Sequence, residues 1–277
     1  MEKGQGGLPK LVLAGPGGGR AEVYLHGAHV TSWLPAAGAE ERLYLSPRAR
    51  FEAGAPIRGG IPVCFPQFAD QGPLPQHGFA RTMEWEPAVV EVASAVLRLT
   101  DTAATRAVWP HPFCAEVAVS VSDGALEVSL GVTNRGDMPV EFTCALHTYL
   151  RVDDVSQATL AGLGGSRYRD KVTGRDGIVD AEAELRFRGE TDRVYYAVPS
   201  GLELREPGRA TGIGSASFSD TVLWNPGASR SAALEDLGPD GYRHMVCVEA
   251  AMARAPVVLY PGGCWRGTQR LGVRSGR

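Results

Sequence analysis

Hydrophobic and polar residues alternate with a period of two through much of this chain. In Ala125–Asn134, Leu126, Val128, Leu130 and Val132 alternate with Glu127, Ser129, Gly131 and Thr133. Successive side chains of a strand point to opposite faces, so this pattern predicts a half-buried β-strand. The preceding AEVAVSV alternates in the same way, and Asp123-Gly124 between the two runs is a hairpin signal. Similar short runs recur at AEVYLHG, AHVTSW, VVEVASAVLRLT, ELRFRG, RVYYAV, GLELRE, TVLW and HMVCVE. No three-turn amphipathic helix is found, and Ala103–Ala107 reads as a short helical piece. Many short strands with Gly and Pro punctuation predict an all-β fold, a large antiparallel β-sandwich. No shift in composition marks a second domain. Residues 1–277 therefore read as one domain, with an ordered core over roughly 10–270 and frayed ends at the Gly-rich N-terminus and the C-terminal VRSGR.

Composition narrows the function. Apolar residues make up 44% and charged residues 21%, enough for a substantial core. A net charge of −3 provides no field to attract nucleic acid or an anionic membrane. An anionic substrate would need a local arginine cluster. The five cysteines are odd in number and form no CxxC pair, so no disulfide framework or zinc site is expected. Cys144 and Cys247 sit in apolar runs and read as small core residues. The N-terminus lacks the apolar stretch of a signal peptide, and no run approaches the ~18–20 apolar residues that span a bilayer. A cytoplasmic protein is expected.

Standard sites are missing. GPGGGR lacks the GK[ST] of a phosphate loop and reads as a turn, and TGIGSA lacks a βαβ setting. No G-x-S-x-G elbow occurs. His26 and His29 read as strand-end histidines rather than metal ligands. The informative stretch is Ala55–Arg81, a long segment stiffened by proline and interleaved with Ile57, Ile61, Val63, Phe65, Phe68 and Phe79. It offers Arg58, Gln76, His77 and Arg81 as donors to an oxygen-rich ligand. In PVEFTCALHTYLRV, parity puts Val140, Phe142, Cys144 and Leu146 on a core face and Glu141, Thr143, Ala145, His147 and Tyr149 on the other. Glu249 ends an apolar strand, where a carboxylate is costly without a partner; it reads either as a strand-end group reaching water or as a general base. Asp192 opens another strand and alone reads as a turn residue or an ion-pair partner of Arg193; Trp224 and Asn225 read by default as a core Trp followed by a turn, or else as a stacking ring and a donor.

In this order, LHGAHVTSW, RLYLSPRARF, PIRGGIPVCFPQF, PQHGFAR, ALHTYL, ETDRVY, TVLWNP and MVCVEAA resemble the hexose-6-phosphate mutarotases, a branch of the aldose 1-epimerase family. The resemblance covers most of Leu25–Gln269. It implies a galactose mutarotase-like sandwich with a sugar site on one sheet. It implies His147 as general acid, Glu249 as general base, His77 as a second site histidine and Asp192 as a carboxylate on the sugar hydroxyls. Arg58 and Arg81 correspond to arginines near the phosphate. No cofactor or metal is implied, the expected partner is a small hexose 6-phosphate, and a monomer is expected. The family often follows WNP with a further Trp and Lys; here the segment is WNPGASRS, so the rim at Gly227–Arg230 departs from the pattern. An epimerase of unphosphorylated aldoses and a non-catalytic carbohydrate-binding sandwich are the competing readings.

Overall fold

The computed structural model describes residues 1–196 and 201–274. Strands β1 (Glu2–Lys3), β2 (Pro9–Ala14), β3 (Arg20–Tyr24) and β4 (His29–Leu34) form a four-stranded sheet in that order. Then come β5 (Val63–Cys64), β6 (Glu86–Val90), β7 (Ser94–Thr100), α1 (Ala103–Val108), β8 (Phe113–Ser122), β9 (Ala125–Asn134), β10 (Val140–Leu146) and β11 (Tyr149–Arg151). The short strands β12 (Thr159–Ala161), β13 (Arg167–Asp170), β14 (Ile178–Val179) and β15 (Glu184–Arg186) follow. The chain ends with β16 (Thr191–Tyr196), β17 (Leu202–Glu206), β18 (Arg209–Ala216), β19 (Asp220–Asn225), α2 (Gly227–Ala233), β20 (Met245–Leu259) and β21 (Cys264–Arg274).

Two large antiparallel sheets face each other. One has the order β15-β12-β17-β18-β21-β9-β8-β7-β6; the other runs β14-β13-β16-β19-β20-β10-β5, with β11 also paired to β20. The alternation read from the sequence decides what lies between them. Leu126, Val128, Leu130 and Val132 of β9 pack in one hydrophobic cluster with Val140, Phe142, Cys144 and Leu146 of β10, all almost fully buried. Each such burial contributes about 1.5–3 kcal/mol. Leu11, Val23 and Trp33 of the small sheet join the same cluster. The Asp123-Gly124 hairpin forms with Ser122 opposite Ala125 and Gly124 at φ 62°. Helix α1 starts at Thr102, whose side chain accepts from the Thr105 backbone N–H while Thr105 Oγ1 accepts from Thr102 N–H.

The structure departs from the sequence reading in several places. The Gly-rich N-terminus is not frayed, because β1 pairs with β2 and Tyr24 Oη accepts from Gln5 N–H. At the other end Val273 and Arg274 belong to β21, and Ser275–Arg277 lie outside the described residues, as do Ala197 and Val198 of the expected RVYYAV strand. Of the run HMVCVE, Met245–Glu249 open a strand of 15 residues while His244 ends the 3-10 turn before it, and α2 is a helix the sequence pattern does not predict. No helix among the described residues is long and apolar enough to cross a membrane.

The segment Ala55–Arg81 is pinned from below. His26 and His29 donate through Nε2 to the carbonyls of Ala55 and Gly59, each at 2.7 Å. Phe65 sits edge-on to Phe79, Trp109, Phe113 and Phe142. Gln67 bonds the backbone of Ala69 and Leu74. Gly78 at φ 69° has no room for a side chain, since a Cβ there would lie 2.2 Å from the Phe65 carbonyl oxygen. These anchors hold the segment across one end of the outer face of the eight-stranded sheet.

Candidate active site

The register of the eight-stranded sheet builds the site. Leu146 pairs with Ala250 and Tyr149 with Cys247, so His147, between β10 and β11, lies directly across from Glu249. Val222 of β19 pairs with Glu249 on the other side, and Val194 of β16 pairs with Val222. A second row, two residues along each strand, reads Tyr149, Cys247, Trp224, Asp192. Opposed side chains in such rows approach within about 4.5–5.5 Å at Cβ. The parity read for His147 and Tyr149 places them on this face, although the ladder breaks at His147 and Thr148, where the His147 N–H bonds Pro62 instead. In the neighbouring row Cys64, Ala145 and Ala251 pair across, leaving a low floor.

Over these rows lies a cavity of about 290 Å³. Arg58, Gln76, His77, Arg81, His147, Asp192, Trp224 and Glu249 all line it, together with Tyr149, Lys171, Arg230 and Asp236. Asn225 does not. Its side-chain amide donates to the carbonyls of Tyr242 and Met245, both at 2.8 Å, and its oxygen accepts from Gly227 N–H. The donor expected for a ligand is consumed in shaping the turn after β19.

His147 Nδ1 and Glu249 Oε1 are 3.3 Å apart, and both side chains are almost wholly buried. Burial pushes the Glu249 carboxyl well above its ordinary range, and the nearby Asp192 charge adds to this against the opposing pull of Lys171. Burial likewise drives His147 well down, helped by His77, Arg81 and Arg58. Both shifts favour the uncharged form of the pair, in which one proton is held on the Glu249 side. Tyr149 stacks on the His147 ring at 4.8 Å and 11°, and Trp224 stands edge-on to both rings at 6.0 Å.

His77 is held in one tautomer. Its Nδ1 accepts from Ala69 N–H at 3.2 Å and faces the Cys64 thiol at 3.1 Å, which leaves the proton on Nε2. Burial and the cations Arg81, Lys171 and Arg58 lower it to about 3, so it is a neutral N–H donor.

The two arginines expected near a phosphate are already engaged. Arg58 donates from Nε to Asp236 at 3.1 Å and from Nη1 to Tyr149 Oη at 3.0 Å. Arg81 donates to the Gln76 carbonyl at 2.9 Å. Asp192 lies 3.6 Å from Lys171 Nζ, and Arg230 lies 3.0 Å from Glu190. The lining therefore holds four cations, Arg58, Arg81, Lys171 and Arg230, against Asp192, Asp236 and Glu249. Among the described residues the excess is one positive charge with Glu249 ionised (4 − 3) and two with it neutral (4 − 2). Sequence reasoning missed Lys171 and Asp236, which lie in turns among other charged residues. His147, Cys247 and Glu249 also place an imidazole nitrogen, a sulfur and a carboxylate oxygen within 4.8 Å of one another, a donor set able to hold a metal ion.

Residues 9–272 match the aldose 1-epimerase family. The chain belongs to that family. A candidate glucose-6-phosphate 1-epimerase of Cenchrus ciliaris is 36% identical over 281 residues, covering 96% of this chain and 85% of that one. Another, from Escherichia coli strain K12, is 37% identical over 243 residues, 84% of this chain and 80% of that one. The crystal structure of a candidate mutarotase from Salmonella typhimurium superposes with a TM-score of 0.87 at 32% identity, covering 97% of this chain and 91% of that one. An aldose epimerase homologue from C. elegans, at 14% identity and a TM-score of 0.75, shares the fold. The galactose mutarotase-like sandwich and an isomerase of the epimerase class follow from these matches.

Proposed function

We propose that this protein interconverts the α and β anomers of glucose 6-phosphate, with Glu249 as general base and His147 as general acid. The observation that carries the reading is the His147–Glu249 contact at the floor of a cavity whose lining has an excess of positive charge. Relatives sharing more than a third of this sequence bear the name of that activity.

Anomerisation needs one proton removed from the O1 hydroxyl and one delivered to the ring oxygen. Glu249 as carboxylate accepts the first and His147 as imidazolium supplies the second. The C1–O5 bond breaks as the C1 carbonyl forms, the aldehyde turns about C1–C2, and reclosure reverses both transfers. The pair carries one proton throughout: on His147 while the ring is closed, on Glu249 while it is open. Burial favours the uncharged pair, so moving the proton from Glu249 to His147 before ring opening costs energy, which the two transfers of ring opening return. His77 Nε2–H, Gln76 and Asp192 suit the sugar hydroxyls, and Trp224 offers an apolar face. Arg81, Lys171 and Arg230 suit the phosphate. Arg58, expected on the phosphate, is read instead as a support for Tyr149. The five free cysteines suit a reducing cytoplasm, and the reading takes residues 1–277 as one monomeric domain.

One observation favours a second reading. Arg58 and Arg81 spend donors on the protein itself, as they would in an epimerase of unphosphorylated aldoses. Magnetisation-exchange NMR of glucose 6-phosphate and of glucose separates the two. Faster exchange confined largely to the phosphorylated sugar is expected. Equal kcat/KM for both would favour the second reading, and binding without exchange would leave a carbohydrate-binding sandwich.

A further inference from the structure

Cys247 has no part in the chemistry above, yet it lies against the proton-carrying pair. It shares the outer face of β20 with Glu249, two residues on, and pairs across the sheet with Tyr149, two residues beyond His147. Its thiol is fully buried and does not line the cavity. Sulfur, a His147 ring nitrogen and a Glu249 carboxylate oxygen come within 4.8 Å of one another, and His147 Nδ1 lies 3.3 Å from Glu249 Oε1. Among the described residues, His147 Nδ1 has only the 3.3 Å contact with Glu249 Oε1, and it and Glu249 Oε2 are both shut from solvent without a hydrogen bond. Unpartnered buried groups are costly, and a ligand that satisfies both recovers that cost.

We infer that His147, Cys247 and Glu249 form a site for a thiophilic divalent cation such as zinc, which shuts the enzyme down by occupying the place of the shuttled proton. One imidazole, one thiolate and one carboxylate supply three protein ligands, the number found in open zinc sites, where the fourth position faces solvent or substrate. Zinc bonds of about 2.0–2.3 Å ask for donors roughly 3.5 Å apart, so the sulfur must close by about 1 Å. A hard cation such as magnesium does not suit a sulfur and nitrogen set. Binding releases the thiol proton and the proton shared by the pair. The metal then holds lone pairs that the acid and base need. The inhibition rests on the proposed epimerase reading; the binding does not.

The test uses the whole chain, freed of metal, in the absence of sugar. Zinc titrated by calorimetry should bind with a stoichiometry of one, and cobalt should give a thiolate-to-metal charge-transfer band. Cys247→Ala should abolish the band and weaken zinc by at least about 100-fold, since loss of even an outer-shell partner costs 10–100-fold. Cys247→Ser, closer in volume, serves if the alanine variant does not fold. Zinc, but not magnesium, should stop anomer exchange, a chelator should restore it, and Cys247→Ala should keep its exchange rate and lose the zinc sensitivity. No zinc heat and no charge-transfer band, or equal zinc binding by the cysteine variants, overturns the site. Binding without inhibition of a working epimerase overturns the shut-off role. Binding to a protein that exchanges no anomers supports the site and removes the epimerase reading alone.

Discussion

Replacing Arg58 by alanine tests how the binding loop and the acid are joined. Arg58 bridges Asp236 and the hydroxyl of Tyr149, and the Tyr149 ring lies flat against His147. The bridge is mostly buried, with the Arg58 side chain 21% and that of Asp236 19% exposed. Hydrogen bonds to a charged group are worth about 1.5–3 kcal/mol, and water entering the cavity recovers part of this, so a stability loss of roughly 2 kcal/mol is expected. The larger effect falls on rate. Freed from its anchor, Tyr149 no longer fixes the imidazole, and a misplacement of about 1 Å can cost on the order of 100-fold. Arg58→Ala should therefore lower kcat/KM by roughly 10–100-fold for glucose 6-phosphate and, in the same proportion, for glucose. The fall should sit mainly in kcat. In a Tyr149→Phe background the same change should cost much less, because the hydroxyl that Arg58 holds is gone. Exchange NMR on both sugars across this four-protein cycle supplies the numbers. A loss confined to the phosphorylated sugar would refute the argument and put Arg58 on the phosphate.

His147→Ala and Glu249→Gln should each lower anomer exchange by ~10²–10⁴-fold, with a near-native circular dichroism spectrum; a folded variant of near-wild-type rate would remove that residue from the mechanism. Burial holds His29 down to about 4 from the ordinary 6.5, so the unfolded chain binds the proton more readily between these values. Stability should therefore fall as pH drops from 6.5 to about 4, by about 3 kcal/mol from this group, and His29→Gln should flatten that part of the slope in denaturant titrations. Gly60 at φ 62° would place a Cβ 2.2 Å from the Val30 carbonyl oxygen, so Gly60→Ala should cost at least about 2 kcal/mol, read from the shift in denaturation midpoint.

The fold was legible where a strand has one wet and one dry face. Leu126 to Val132 announce both the strand and its buried side, and Asp123-Gly124 announces the hairpin. Strands β12 to β15 have two to four residues and carry too few positions to show a period. The site was legible in part through parity, which put His147 and Tyr149 on one face, and through the collinear family segments. Parity says nothing of which strands are neighbours. That His147 faces Glu249, and that Tyr149, Cys247, Trp224 and Asp192 make one row, depends on cross-strand register, which is set by the whole sheet. Arg58 shows the same limit. An arginine in a binding loop looks free until its carboxylate, 178 residues away in Leu234–Asp236, is seen to reach it.

The pairing that places Glu249 beside His147 joins strands more than a hundred residues apart, with β9 and β8 closing into a hairpin long before it. Contacts of that separation are made late, because the loop between them must be closed before they return any stabilisation. On refolding from denaturant, the β8–β9 hairpin can form early, while β20 must find both β10 and β19. During synthesis β20 emerges about a hundred residues after β10. Anomer exchange is therefore a property of the completed sheet, and its recovery should coincide with the slowest main folding phase rather than with the first appearance of β-structure.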